Sequence, residues 1–410
     1  MPRWRWILTE LFSRIWFRAA LIGGLSVLLA LASAGLAPLL PYELSLKIGA
    51  NAADNILTIL ASSMLAVTTF SLTAMVTAFS GAAQLGTPRA TELLVEDKTA
   101  QNALSTFLGG FLFSVVGIIA LSTGLYGEQG RAILLIGTIV MIAFIVITLL
   151  RWIATLAYFG RMGDTIKRVE KKARSALDAY PGPRILAGRS DLAAPADAEI
   201  FEAEQTGYVA HANREALSSL AEEAGTEIHL EAPAGHFVSV GAPLAWAPRD
   251  HGLDGERVRR HFAIRRHRDL DQDPRFGMVV LSEIASRALS PAVNDPGSAI
   301  AVLVSAQRVL DAFDDAGVDY APLPGLVDHP LSLEEMLVDL VMPVARDGAG
   351  LFEVGIQLQK MLGALATRYP GARTALHRMA ERAVEQARRA IDAPGDLERV
   401  ERAYRRAFSD

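Results

Sequence analysis

Residues 56–79 read ILTILASSMLAVTTFSLTAMVTAF, and this stretch decides the fold class. It carries no charge over a length that, as an α-helix rising about 1.5 Å per residue, crosses roughly 30 Å of hydrocarbon. Three further stretches of this kind flank it, at about 16–40, 103–123 and 131–157, the last interrupted by Arg151. The pattern predicts an α-helical integral membrane protein with four transmembrane helices (16–40, 56–80, 103–123 and 131–157) inside residues 1–160. Arg3, Arg5, Arg14 and Arg18 precede the first span, as in a signal peptide, but the apolar run is longer than a signal core. It is read as an uncleaved span.

Composition separates the two ends of the chain. Of 410 residues, 51% are hydrophobic, yet the formal charge is about +5 over residues 1–180 and −10 over the remainder, −5 in all. An acidic tail argues against a nucleic-acid partner, whose backbone asks for a basic surface. There is no cysteine, which excludes disulfides, thiolate nucleophiles and cysteine zinc sites. No phosphate-binding glycine loop, His-Glu-x-x-His or Gly-x-Ser-x-Gly is present. No catalytic residue and no cofactor is therefore expected.

Charge also predicts topology. The arginines at the N-terminus and the cluster Arg161, Lys167, Arg168, Lys171, Lys172 and Arg174 after the last span follow the positive-inside pattern. The expected placement is a multi-pass protein of the bacterial cytoplasmic (inner) membrane with both termini cytoplasmic. The second span is rich in hydroxyls. Ser62, Thr69 and Thr73 share a helical face with Ala66, and Ser80 follows. Two readings stay open for Ser62, Thr69, Thr73 and Ser80: close helix packing with hydroxyls bonded to backbone carbonyls, or the lining of a hydrated conduit.

Beyond the spans the chain is predicted to be cytoplasmic and α+β. Residues 161–180 read as a juxtamembrane basic helix, 181–256 as a small β-rich module with one helix, and 257–410 as a mainly helical domain, a bundle. Tyr180-Pro181-Gly182-Pro183 marks the first boundary. His229 and His236 straddle a turn and are expected to be surface histidines, with no metal site assigned. The densest polar chemistry runs from Arg257 through Arg265 to Asp271 and Asp273. It continues with Arg287 and with Asn294-Asp295, which either caps the helix starting near Pro296 or offers ligand groups.

Several runs together carry a family resemblance. They are Ala61-Ser62-Ser63-Met64 with Thr69-Phe70-Ser71-Leu72, Thr87-Pro88-Arg89 leading to Glu96-Asp97-Lys98, and Gly207-Tyr208-Val209 with Pro233-Ala234-Gly235. The most specific is Asp271-Gln272-Asp273 with Phe276-Gly277, then Arg287-Ala288-Leu289-Ser290-Pro291-Ala292-Val293-Asn294-Asp295-Pro296. In order and spacing the chain resembles the bacterial predicted membrane proteins grouped as domain of unknown function 2254. The departure is Gly297-Ser298-Ala299, where a bulkier residue and Thr-Ala are expected. The resemblance implies an inner-membrane protein with a cytoplasmic C-terminal domain and implies no activity.

The functional expectation is a homo-oligomeric, ion channel-like membrane protein with a cytoplasmic regulatory domain. The alternative is a membrane scaffold or sensor whose tail binds a small ligand or protein; a membrane-associated enzyme is less expected. The expected partners are the lipid bilayer, further copies of the chain, and an inorganic ion or small ligand. Arg89, Asp97, Arg265, Asp271, Asp273, Arg287, Asn294 and Asp295 are the candidate ligand or coupling residues.

Overall fold

The computed structural model describes residues 20–25, 27–28, 50–85, 87–90, 98–123, 128–156, 161–180, 182–188, 194–249, 252–313 and 322–408. The chain divides into two compact units. One holds residues 2–84 and 91–161; the other holds residues 85–90 and 162–410.

The first unit contains three helices long and apolar enough to cross a membrane: α1 (Ala50–Leu85), α2 (Lys98–Ser122) and α3 (Glu128–Leu156). Their apolar cores, Ala53–Gly81, Thr99–Ser122 and Ile133–Leu156, coincide with the second, third and fourth predicted spans. The first predicted span, 16–40, lies largely outside the described residues. Leu57, Phe107, Phe113, Leu134 and Trp152 are buried between the helices, and the Trp152 indole N–H donates to Ser71 Oγ at 3.0 Å. Most remaining hydroxyls bond carbonyls one turn back, as Ser105 does to Gln101 (2.7 Å) and Thr138 to Leu134 (2.7 Å). Such bonds satisfy a polar group where lipid offers no partner.

The second unit begins with α4 (Met162–Ala179). Its apolar stripe of Ile166, Val169, Ala173 and Leu177 is buried. Three cations of the basic cluster are paired inside this unit: Arg168 with Asp164 (2.6 Å), Arg174 with Asp178 (2.8 Å) and Lys172 with Asp271 (2.8 Å).

The β module follows. Strands β1 (Arg184–Ile185), β2 (Glu199–Glu202) and β3 (Gly207–Ala212) lead to helix α5 (Arg214–Ala224). Asn213 caps the start of α5 and Gly225, at φ +62°, ends it. Next come β4 (Ile228–Leu230), β5 (Phe237–Val238), β6 (Pro243–Ala247), the short α6 (Gly255–Arg259) and β7 (Phe262–Arg265). The helical bundle is α7 (Pro274–Ala288), α8 (Pro296–Leu310), α9 (Leu333–Asp347), α10 (Phe352–Arg368), α11 (Arg373–Ala390) and α12 (Pro394–Phe408). Between α8 and α9 lie β8 (Leu326–Val327) and β9 (Leu331–Ser332).

Two sheets form, ordered β2-β6-β4-β8 and β5-β3-β7, and β1 pairs with β9. Strands β7 and β8 thus cross the predicted division at residue 256, and module and bundle are sewn together. The parallel β4–β8 pair sets Ile228 against Leu326, and β1–β9 sets Arg184 against Leu331. Phe201, Ile228 and Ala245 form one core with Leu217 of α5, and Val209, Val238 and Leu244 form a second small core. In the bundle, α7 packs on α4, α8 and α9. Gly277 of α7 lets it approach α4, since a Cβ there would collide with Ala173.

Candidate functional site

Three proline-bearing segments, Pro233 to His236, Asp273-Pro274 and His329-Pro330, meet Tyr180 at the end of α4, where module meets bundle. Proline fixes φ near −65° and stiffens each of the three. Between them lies a cavity of about 220 Å³, lined by Tyr180, His236, Arg268, Asp273, Arg275 and His329, with Glu335 beside them.

Each group is held by a local cause. Asp273 caps α7, its Oδ1 accepting the Phe276 N–H at 3.0 Å, while Oδ2 accepts from Arg268 at 2.7 Å. Arg275 donates to Asp339 (2.9 Å) and Glu335 (2.8 Å) on α9. The Tyr180 hydroxyl donates to the His329 carbonyl at 2.8 Å. The neighbouring Asp328 is clamped by both ends of the Arg214 guanidinium from α5. Gly235, at φ +94°, leaves room for the Asp273 carboxylate, which a Cβ would strike. The rings of His236 and His329 meet edge to face, centroids 5.1 Å apart.

The electrostatics follow from burial. Desolvation pushes the His236 imidazole down to about 4, helped by His329, Arg275 and Arg268, so the ring is neutral at pH 7. Burial pushes the Asp273 carboxyl above its usual range against the pull of Arg268, and raises the Tyr180 phenol. His329 Nδ1 sits 3.2 Å from the Pro330 carbonyl. Among the described residues no cluster of three His, Asp or Glu side chains is placed to hold a metal.

A model of the family described as predicted membrane protein, domain of unknown function 2254, matches residues 13–364. The chain belongs to this family. An uncharacterized protein of Mycobacterium tuberculosis is 38% identical over 116 residues, and one of Mycobacterium bovis is equally so. Each match covers 27% of this chain and 22% of the relative, so the chain spans about a fifth of the length of the curated relatives it matches. No solved structure matches.

In this member of the family, the sequence-predicted site residues fall in separate places. Asp273 alone among them lines the cavity. Arg265 ends β7, opposite Tyr208, and Asp271 is an exposed partner of Lys172. Asp295 is exposed and caps α8, accepting from the Ser298 N–H (3.0 Å) and hydroxyl (2.6 Å), which hold its carboxyl below the usual range. Asn294 turns the corner at φ +48°, a conformation asparagine tolerates. The pair is a helix-capping corner, apart from the cavity. Arg89 pairs with Glu283 of α7 and lies over the Phe276 ring. Arg287 lines an open groove on α7 and α9 with Thr87 and Glu283. Asp97 lies outside the described residues. Ser62, Thr69, Thr73 and Ser80 are exposed on α1, the first three bonded back to carbonyls of Thr58, Leu65 and Thr69.

Sequence reasoning missed Tyr180, Arg268 and His329 and misjudged His236. The expectation of two surface histidines fails because His236 is largely buried against His329, and because His229 stacks on Trp246 with centroids 3.7 Å apart. The signal that was available is the shared grammar of the turns: a ring or a charge set beside a proline.

Proposed function

We propose that the protein is a ligand-responsive membrane protein, a sensor whose cytoplasmic region binds a small ligand in the histidine–arginine cavity and acts on the membrane helices. The observation that carries this reading is the docking of residues 87–90 on α7. These residues follow directly on α1, and they cluster with the α/β unit. Thr87 and Ala90 are buried, and Arg89 pairs with Glu283. The Phe276 ring carries Arg89 at 5.9 Å and the cavity's Arg268 at 4.9 Å. One helix therefore holds the cavity wall at its start, through Asp273, and residues 87–90, which follow α1 in the chain, along its length. A shift of α7 has a short covalent route into α1.

The test needs no ligand. An environment-sensitive label on Thr77→Cys, unique in a chain without cysteine, reports on α1 in nanodiscs. Arg89→Ala should change its emission; identical emission with and without Arg89 counts against the coupling.

A second reading, the homo-oligomeric ion channel, is favoured by one observation. The hydroxyl face of Ser62, Thr69 and Thr73, with Ala66, is exposed in the single chain, where a neighbouring copy or a water-filled axis would cover it. Single cysteines at Ser62, Thr69 and Thr73 should form disulfide dimers that one at Ile59 does not. Equal yields at all four positions would sink this reading.

A further inference from the structure

Helix α12 sorts its charges between its two sides. Its apolar seam is Val400, with Leu397 and Tyr404 packed beside it. Glu401 lies toward α11, where Arg388 meets it at 2.8 Å and Arg405 at 3.5 Å. Arg399, Arg402 and Arg406, spaced i, i+3 and i+7, fall together on the other side, toward α10, where Lys360 joins them. These four cations wall a groove of about 510 Å³ between α10 and α12, a volume in the range of small-molecule sites. The floor is built of small residues because the helices approach closely: a Cβ on Gly363 would stand 2.6 Å from that of Ala407. Ala364 and Ala403 complete it.

Among the described residues no acid lines this groove. Glu398 takes one N–H of Arg402 at 2.8 Å from outside it, and Asp396 stands 3.9 Å from Arg399, beyond hydrogen-bond range. Arg399 is held instead by its guanidinium lying 5.2 Å over the Phe352 ring. Lys360 and Arg406 have no ion-pair partner among the described residues, and Glu353, the one acid of α10, sits two turns before Lys360. Even with both outside acids counted against the four cations, the groove keeps a positive surplus. A cleft lined by one sign of charge concentrates ions of the other. From Arg399 to Arg406 the charges extend over about 10 Å of helix, more than a single small ion spans. Guanidinium forks match phosphoryl oxygens two at a time.

We propose that the groove between α10 and α12 is a second ligand site, which binds a molecule carrying two or more phosphoryl groups through Lys360, Arg399, Arg402 and Arg406, with its uncharged body on the small-residue floor. Neither the site nor its test depends on the histidine–arginine cavity. Two sources offer this chemistry: a free nucleoside diphosphate, or the doubly phosphorylated headgroup of cardiolipin in the bilayer.

The experiment has two arms. Calorimetric titration of the full chain in phosphatidylcholine nanodiscs with ADP, free of divalent cations, tests the free source, and adenosine is the uncharged control. Native mass spectrometry of the detergent-solubilised full chain with added cardiolipin, against phosphatidylcholine, tests the lipid source. The expected result is saturable binding of ADP that adenosine does not share, or retention of cardiolipin that phosphatidylcholine does not share. Lys360→Glu with Arg406→Glu reverses two exposed cations and should weaken that binding at least about tenfold, since each forfeits a charged hydrogen bond. Arg382→Glu with Arg389→Glu makes the same change of charge at exposed positions of α11 outside the groove, and should leave binding within about twofold. Ala364→Phe fills the floor without changing charge and should also weaken it. ADP binding lost in the groove variant assigns a free ligand; cardiolipin retention lost in that variant assigns the lipid; either supports the shared chemistry. No binding in either arm, binding that survives Lys360→Glu with Arg406→Glu, or an equal loss in the α11 variant overturns the proposal.

Discussion

Asp328→Asn is the most informative single substitution, because it removes a charge and keeps a shape. The Asp328 side chain is 1% exposed and that of Arg214 12%, and the guanidinium reaches both carboxylate oxygens. Asparagine offers one carbonyl oxygen and turns an N–H₂ donor toward a cation. The variant leaves a buried, uncompensated Arg214 at the joint between α5 and the His329 turn. Breaking a buried pair by removing one partner costs about 3–5 kcal/mol. Urea unfolding followed through Trp246 measures the effect, since the other four tryptophans, Trp4, Trp6, Trp16 and Trp152, all precede residue 162, where the main part of the α/β unit begins. With an m-value near the upper end of about 1–3 kcal/mol/M, the midpoint should fall by roughly 1–2 M. The double variant Arg214→Met with Asp328→Leu replaces the pair by apolar groups and should recover most of the loss, because burial no longer strands a charge. A midpoint shift below about 0.3 M for Asp328→Asn, or a double variant less stable than the single one, would refute the reasoning.

Other predictions concern the cavity and the helix contacts. Folded His236 titrates near 4 against an ordinary value of 6.5, so the unfolded chain binds one more proton between them. Stability is fully present above about pH 6.5 and declines by up to about 3 kcal/mol as pH falls toward 4, a slope that His236→Gln should remove in urea titrations at stepped pH. Gly235→Ala forces a Cβ onto the Asp273 carboxylate at φ +94° and should cost about 1–3 kcal/mol in the same assay; a wild-type midpoint would show that the turn has slack. Gly277→Val drives a side chain into Ala173 across the α4–α7 contact and should cost about 1–3 kcal/mol, whereas Gly163→Val, in open space on α4, costs less than about 1; similar midpoints for the two would contradict the packing.

The three helices long and apolar enough to cross a membrane were legible because an uncharged run of twenty or more residues has few alternatives. Helix caps were legible for a similar reason: Asp295 before Pro296 and Asp273 before Pro274 place an acceptor next to a residue that starts helices. The division of the tail was read too simply. Two-residue strands such as β8 and β9 have no periodicity to detect, yet they bring Asp328 and His329 beside Tyr180, about 150 residues earlier in the chain. The candidate cavity stayed hidden for the same reason. Its members come from distant stretches of the chain, and the dense basic run around Arg265 drew attention away from Arg268, the member of that run which lines the cavity. The Arg89–Glu283 pair lies nearly two hundred residues apart in sequence. Arg89 was singled out, but nothing local to it names its partner.

The central claim of the proposed function is that α7 ties the cavity to residues 87–90, the segment that follows α1 in the chain, and amide hydrogen exchange of the chain in nanodiscs tests it directly. The account predicts that Asp273→Asn, at the cavity end of α7, speeds exchange within residues 87–90 as Glu283→Ala does. Val400→Ala, equally buried but on α12, should leave that segment as in the wild type. Unchanged protection of residues 87–90 in Asp273→Asn, with α7 itself loosened, would show that the cavity and the span are not connected through this helix.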